Sequence, residues 1–577
     1  MRSLTRLTLP WQVARVRAID ATMSLRLRRL APCARAISYT AQGQRTVALP
    51  SFAPSLSSGA TCYIDGAFSA ASDRGVDGKP STVTTASPRD GSALATLADA
   101  SAADAERAIA TARRCVADGS WGATTREQAE ARARVLERAA DALDAEREEF
   151  ANLESLDCGK PLPESRADMA FCADVLRYYA DFGRRFEFDG GDAARTKCPT
   201  DDQLRARVVS APRGVVGMIT PWNFPLQQAV VKLAPALAAG NACVLKPSPV
   251  ASLTCAAFAK LLVEKGGAPA GAISVLTGGP PHGPPSGRGS EALAESAELD
   301  CLSFTGSGRA GEQLLAASAR ALRPTTLELG GKGALLVFAD YPDLEAAADW
   351  ALVGILSTSG QVCSATSRLL VEEAAYEPLL KLLLEKMKRV NVGDPMDAAT
   401  TMGPLASAQQ RDAVVAAVTS ALESGAGRAT VGVDAAAYNA GVNSGGFFFP
   451  PTLMTDVDEG SALWREEIFG PVLCVARFGD GDEAGAVARA NDSPYGLGHG
   501  VLTADSERAA RVANALDAGV VWANCNQAVW PDTPFGGAKK SGFGWELGAA
   551  GFEEYLQKKT IVEAAEPGYS WGAYPCG

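Results

Sequence analysis

Short apolar runs separated by helix-length stretches constrain this chain more than any other feature of it. Val215–Ile219 is closed by Pro221, and Ala242–Leu245 is closed by Lys246-Pro247. Ile273–Leu276, Leu302–Phe304 and Leu335–Phe338 repeat the form. These runs do not alternate with polar residues, so neither face of such a strand can meet water. Strands buried on both faces need helices on both sides, which predicts βαβ units and a doubly wound parallel sheet. The intervening segments agree. Ala105, Ile109, Ala112 and Val116 fall on one helical face, as do Leu136, Ala140 and Leu143, with a stop at Gly159. Ser367–Val371, Val472–Val475 and Val520–Ala523 predict a second α/β domain after about residue 328. Residues 204–210 alternate polar and apolar, as a half-exposed strand does, and predict pairing with a strand near the C-terminus. The longest apolar stretch, Ala229–Leu245, is interrupted by Lys232, Pro235, Gly240 and Asn241, which excludes it as a membrane span. Residues 278–289 form a Gly/Pro-rich loop that is neither helix nor central strand.

Composition narrows the chemistry. The chain has 577 residues and two histidines, His282 and His499. That count argues against Ser-His-Asp hydrolysis, a Cys-His protease and a His-rich zinc site. The net charge of −11 argues against a nucleic-acid partner. Charge is unevenly placed, because residues 1–60 hold nine Arg, no Lys or Glu, and one acid, Asp20. An Arg-rich, Ser-rich, acid-poor leader predicts an organellar transit peptide, mitochondrial ahead of plastid, and a basic tail without function is the alternative. Thirteen cysteines contain no C-x-x-C pair, so no zinc ribbon or redox motif is expected and one thiol is open to a reactive role.

The residues themselves offer candidate chemistry, each with an ordinary alternative. Gly306-Ser307-Gly308-Arg309-Ala310-Gly311 follows a strand and precedes a helix read over Glu312–Leu322. It is either a pyrophosphate-binding turn, with Glu328 or Glu345 as the ribose acid, or a tight turn alone. Glu328-Leu329-Gly330-Gly331-Lys332 either delivers a carboxylate into a cleft or makes a solvated turn. Cys363, after Ser357-Thr358-Ser359, is either a nucleophile activated by a following helix N-terminus or a buried inert thiol. Pro221-Trp222-Asn223-Phe224-Pro225 either aims the Asn223 amide at an oxyanion or is a rigid structural turn.

The order of PWNFP, KPS, FTGS, ELGGK, GQVCSATSR, EEIFGP, NDSPYGL and PFGGAKKSGFG resembles that of the aldehyde dehydrogenase superfamily, from about residue 61 to the C-terminus. GQVCSATSRLL and the C-terminal Trp571-Gly572-Ala573-Tyr574 are similar to the plant betaine-aldehyde and aminoaldehyde dehydrogenase branch. The resemblance implies an α/β chain with a Rossmann-like cofactor domain (61–195 and 213–327), a catalytic domain (328–533) and a small oligomerisation β-flap (196–212 and 534–577). It implies oxidation of an aldehyde to a carboxylic acid. Cys363 would be the nucleophile, Asn223 and the Cys363 N–H the oxyanion donors, and Glu328 the general base, which displaces Glu328 from the ribose role. Lys232 and Glu546 would relay protons. Pro221, Trp222, Lys246, Ser248, Gly306, Ser307, Leu329, Glu467 and Phe469 would hold NAD. Phe224, Val231, Ser357, Trp530 and Phe535 would line the aldehyde pocket. No metal is expected.

Departures from the family pattern bear on specificity. Pro249 stands where the family has a ribose-binding glutamate, which removes a barrier to NADP. Val231 and Ser357 stand where the branch has tryptophans, so a trimethylammonium head loses aromatic faces worth about 0.5–2 kcal/mol each. An aminoaldehyde or a wider aliphatic range is then as well supported as betaine aldehyde. A homodimer or homotetramer is expected, because flap edges need covering. The rival functions are a CoA-acylating semialdehyde dehydrogenase and a catalytically inactive binding or structural homologue.

Overall fold

The computed structural model describes residues 38–39, 45–46, 49–75, 78–119, 121–191, 195–197, 202–279, 288–432 and 445–569. The chain forms two units, Met1–Ala48 and Leu49–Gly577. The described residues of the first unit make an antiparallel pair, Ser38–Tyr39 with Arg45–Thr46. The rest of that unit, residues 280–287 of the Gly/Pro loop, His282 and Trp571–Tyr574 lie outside the described residues, while residues 288 and 289, read as the end of that loop, open a helix over Arg288–Glu295. In the second unit Phe52 is buried, and Leu49, Ala53 and Leu56 pack against the same core. Residues 49–60, which the sequence reading places in the leader, are therefore part of the folded body.

That body is built on two large sheets. The buried runs form β1 (Val215–Thr220), β2 (Ala242–Pro247), β3 (Ile273–Val275), β4 (Cys301–Thr305) and β5 (Thr325–Glu328). They lie in the order β5-β4-β1-β2-β3, all parallel. Chain order reverses between β1 and β4, which pair through Val216–Ile219 with Cys301–Phe304. Gly542–Phe543, within the stretch assigned to the flap, adds an antiparallel edge strand beside β5. The second sheet is centred on β6 (Ala334–Val337), β7 (Arg368–Glu372) and β8 (Gly498–Leu502), again parallel. The strand read at 204–210 runs over Leu204–Pro212 and pairs antiparallel with Leu556–Ala564.

Helices α1 (Leu162–Arg185), α2 (Pro225–Ala239), α3 (Gly308–Arg320) and α4 (Leu344–Leu356) cover the sheets. Helix α3 begins four residues earlier than the sequence suggests, because Ser307 caps it and accepts from the Ala310 N–H at 3.4 Å. No helix among the described residues is long and apolar enough to cross a membrane.

Candidate active site

The crevice at the carboxyl ends of β1 and β4 is the point where a doubly wound sheet offers a ligand site. Pro221, Trp222 and Asn223 leave the end of β1, and Gly306 and Ser307 leave the end of β4. The glycines are needed for different reasons. A Cβ on Gly306 would meet the Phe304 ring at 2.5 Å, and one on Gly311 would meet Leu329 at 2.6 Å, so helix and strand approach closely. A Cβ on Gly308 would meet nothing within 4 Å, which leaves the helix N-terminus open. Lys246, at the end of β2, is buried and donates to Pro247 O at 3.0 Å and Gly278 O at 2.6 Å. Burial lowers its pKa to about 8. Ser248 is half-buried and its hydroxyl accepts from the Val250 N–H.

The segment carrying the candidate thiol comes from the second sheet. Helix α4 ends in a tight turn, Ser357–Gly360, in which Thr358 and Ser359 adopt φ +50° and +56°. Gly360 is required here, since a Cβ would lie 2.2 Å from the Gly470 backbone. Cys363 follows this turn and leads into β7. The sequence reading of a helix starting after Cys363 is thus corrected, and no helix N-terminus activates this thiol. Its surroundings push the thiol pKa up instead, first by burial and then through the carboxylates of Glu328, Glu467 and Glu546. Cys363 packs against the core of the first sheet.

Glu328 is the last residue of β5. It is buried, and neither carboxylate oxygen has a hydrogen-bond partner among the described residues. Burial, followed by the charge of Glu546, raises its pKa well above the usual carboxylate range. The two glycines after it allow a close approach. A Cβ on Gly330 would strike the Glu467 carboxylate, and one on Gly331 would stand 2.4 Å from Cys363 O. Leu329 is buried, and its N–H donates to Ser541 O at 2.9 Å.

Asn223 is buried, and its Nδ2 donates to Gln361 O at 2.7 Å. One amide hydrogen is therefore held two residues before Cys363, and the other is left to donate. Lys232 of α2 forms a buried ion pair with Glu546, whose Oε1 also accepts from Thr305 Oγ1 at 3.2 Å. Glu467 is half-buried and accepts from the Gly331 N–H at 2.9 Å. Burial raises its pKa to about 7. Phe469 sits at φ +59°, rare for a bulky residue, with its ring edge-on to Trp222 at 5.4 Å.

The structure disperses the residues expected around the aldehyde. Phe224 carries the Lys160 ammonium over its ring, 3.7 Å from the centroid. Val231 is buried and belongs to the core of the first sheet. Ser357 lines an open surface depression of about 350 Å³ together with Glu164, Leu356 and Lys386, and neither Cys363, Asn223 nor Glu328 borders it. Phe535 is buried, and its backbone exchanges two 2.7 Å hydrogen bonds with Glu546. Trp530 is 53 % exposed. Among the described residues no group of three or more His, Cys, Asp or Glu could hold a metal ion.

Sequence reasoning passed over several buried or half-buried polar groups. Gln361 is buried and accepts from Asn223 through its backbone while its side chain accepts from the Ala406 N–H. Lys332 is buried with no partner for its amine among the described residues, and its pKa falls to about 8. Glu164 accepts from Thr358 N and Oγ1 at 2.8 and 3.1 Å. Gln527 grips Ser364. Gln361, Glu164 and Gln527 each sit far along the chain from their partners, so no local pattern marks them.

A doubly wound lobe with an open helix N-terminus at its switch point, joined to a second lobe that carries a thiol to the same crevice, defines an α/β oxidoreductase. The chain belongs to the aldehyde dehydrogenase family, whose model matches residues 76–561. It is 40 % identical over 477 residues to a peroxisomal aminoaldehyde dehydrogenase 2 of Pisum sativum, spanning 82 % of this chain and 90 % of that one. It is 39 % identical over 479 residues to a chloroplastic betaine aldehyde dehydrogenase of Amaranthus hypochondriacus, spanning 82 % and 91 %. A crystal structure of betaine aldehyde dehydrogenase from Staphylococcus aureus in complex with NAD+ superposes with a TM-score of 0.81 at 35 % identity, covering 89 % of this chain and 97 % of that one. The protein is an enzyme that oxidises aldehydes.

Proposed function

We propose that Cys363 is the nucleophile, that Asn223 and the Cys363 N–H hold the oxyanion, and that Glu328 is the base that releases the acid. The observation that carries this reading is the placing of Glu328. A buried carboxylate with both oxygens unpartnered is costly unless something uses it, and the same segment touches the Cys363 peptide through Gly331. Cys363 attacks the aldehyde carbon and its proton leaves to Glu328. Asn223 supplies a fixed donor for the oxygen that becomes charged, a contribution of about 10²–10³ in rate where one such donor has been removed. Lys232 and Glu546, paired beside Glu328, carry the thiol proton toward solvent and leave Glu328 ionised. Once the hydride has gone and the thioester remains, Glu328 takes a proton from the water that attacks it, and the Cys363 sulfur departs from the acid as the thiolate.

NAD is the cofactor we infer, supported by the NAD+ complex of the Staphylococcus aureus relative and by the fit of the crevice. Ser307 and the open N-terminus of α3 suit a pyrophosphate, and Lys246, Glu467 and the Trp222–Phe469 pair suit its sugars and ring. When bound, NAD accepts the hydride lost from the aldehyde carbon. Pro249 offers no carboxylate to oppose a 2′-phosphate, so NADP is a weaker second acceptor. The substrate is an amino-substituted or aliphatic aldehyde. The names of the relatives support the former, while Ser357, which has no ring to face a cationic head, supports the latter. The strand Leu556–Ala564, exposed along most of its length, supports a homodimer or homotetramer. The Arg-rich leader supports delivery to an organelle, mitochondrion or plastid. The relatives named above are peroxisomal and chloroplastic.

The test is NADH and NADPH formation by the purified chain with betaine aldehyde, 3-aminopropionaldehyde, 4-aminobutyraldehyde and a plain aliphatic aldehyde, without CoA, beside a C363A control. Activity in the wild type and none in C363A is expected. Equal activity in both overturns the nucleophile assignment.

A further inference from the structure

The chain corner Asn524–Gln527 contains two non-glycine residues in the left-handed region, Asn524 at φ +57° and Gln527 at φ +56°. Such residues persist only where their surroundings over-determine them. Here the surroundings are the segment that carries Cys363. Gln527 Oε1 accepts from Ser364 Oγ at 2.8 Å, and Gln527 Nε2 donates to Ser364 O at 2.8 Å. One carboxamide therefore holds both the hydroxyl and the carbonyl of the residue directly after Cys363. The adjacent Asn526 donates to Trp350 O at 3.0 Å and Thr366 Oγ1 at 2.8 Å, tying the same corner to α4 and to the approach of β7. Ser364 matters because it is bonded directly to Cys363, so its peptide sets where the sulfur stands, and that peptide favours the thiolate.

We propose that Gln527 is a positioning residue for the nucleophile: by holding the hydroxyl and the carbonyl of Ser364 it fixes the peptide that places the Cys363 sulfur, and it ties that sulfur to the 524–535 loop. The inference rests on the reading of Cys363 as nucleophile. The pattern of donors explains why the residue is a glutamine. Glutamate has no donor for Ser364 O, and asparagine is one methylene shorter. The loop continues to Phe535, whose backbone is paired with Glu546. Gln527 itself bonds Ser364 and Asn526, so a change there acts first on the segment that carries the sulfur.

The experiment follows iodoacetamide alkylation of Cys363 against pH in the full chain. Peptide mapping separates Cys363 from the half-buried Cys525. Q527A and Q527E are each expected to move the alkylation midpoint to higher pH and to lower kcat roughly ten- to hundredfold, as for a misplacement of about 1 Å. KM for NAD stays unchanged. S364A, which keeps the carbonyl contact, has a smaller effect that is not additive with Q527A. A folded Q527A with wild-type alkylation and kcat overturns the proposal. If Q527A fails to fold, the isosteric Q527E decides by the same criterion. An active C363A, by contrast, overturns the nucleophile reading itself, so the two failures are distinguishable.

Discussion

Gly331 and Cys363 meet so closely that a side chain on the glycine would stand 2.4 Å from the cysteine's carbonyl oxygen. The obstacle is backbone, so no rotamer change relieves it. G331A must push apart the segment bearing Glu328 and the segment bearing the thiol. We expect kcat to fall by about 10²-fold, as for other misplacements near 1 Å. Stability falls by about 1–3 kcal/mol from overpacking. Steady-state kinetics and a thermal melt check both. Wild-type kcat in a folded G331A would show that the spacing is not catalytic.

The raised pKa of Glu328 fixes the sign of a pH dependence. A base must be ionised, and this carboxyl ionises well above the usual range, so kcat climbs with pH as it loses its proton. E328Q should remove that limb and slow turnover by about 10²–10⁴-fold. The charge of Glu546 raises the Glu328 pKa and that of Lys232 lowers it. E546Q therefore moves the limb to lower pH, and K232M moves it to higher pH. K232M also leaves a buried carboxylate unpaired and loses about 3–5 kcal/mol of stability. Shifts in the same direction would show that the ion pair is not coupled to the base.

His499 gives a stability test free of catalysis. Its Nδ1 accepts from the Ala334 N–H at 2.9 Å, and burial lowers its pKa to about 3. In the unfolded chain it titrates near pKa ~6.5. Below that pH the unfolded state binds a proton that the folded state refuses, so stability is complete above about pH 6.5 and declines as pH falls toward 3. The slope approaches 1.4 kcal/mol per pH unit. H499Q keeps an acceptor for Ala334 and should flatten the decline between about pH 6.5 and 5, measured by chemical denaturation. An unchanged slope would assign it to other groups.

What the chain showed in advance depended on range. Strands such as Val215–Thr220 announce themselves because each is a continuous buried run with a turn signal after it. The motifs around Asn223, Glu328 and Cys363 are compact for the same reason that they are legible: a backbone passing another at close range needs glycine and proline nearby. The surroundings of Cys363 were misread because Gly360-Gln361 looks like a helix start, while the Thr358–Ser359 turn is held by Glu164, 194 residues away along the chain. Gln527, 163 residues from Ser364, was invisible by the same logic. Exposure was equally hidden, so Trp530 reads as a pocket residue from its neighbours yet stands largely in water.

Ser357 is the position at which specificity for a cationic head can be tested. Its hydroxyl donates to Val353 O at 2.8 Å, an ordinary helix-end contact, and the side chain borders an open depression of about 350 Å³ with room for a ring. Val231 does not offer the same opportunity, since it is packed in the core and a tryptophan there would force the helix outward. S357W should therefore fold, whereas V231W should lose stability. An indole facing a trimethylammonium head contributes about 0.5–2 kcal/mol, so kcat/KM for betaine aldehyde should rise by roughly two- to thirtyfold in S357W while that for the uncharged 3,3-dimethylbutanal does not. The ratio of the two substrates isolates charge from shape, because they differ chiefly in the quaternary centre. Equal gains for both would mean that the ring only fills space, and no gain for either would mean that the cavity at Ser357 does not receive the substrate.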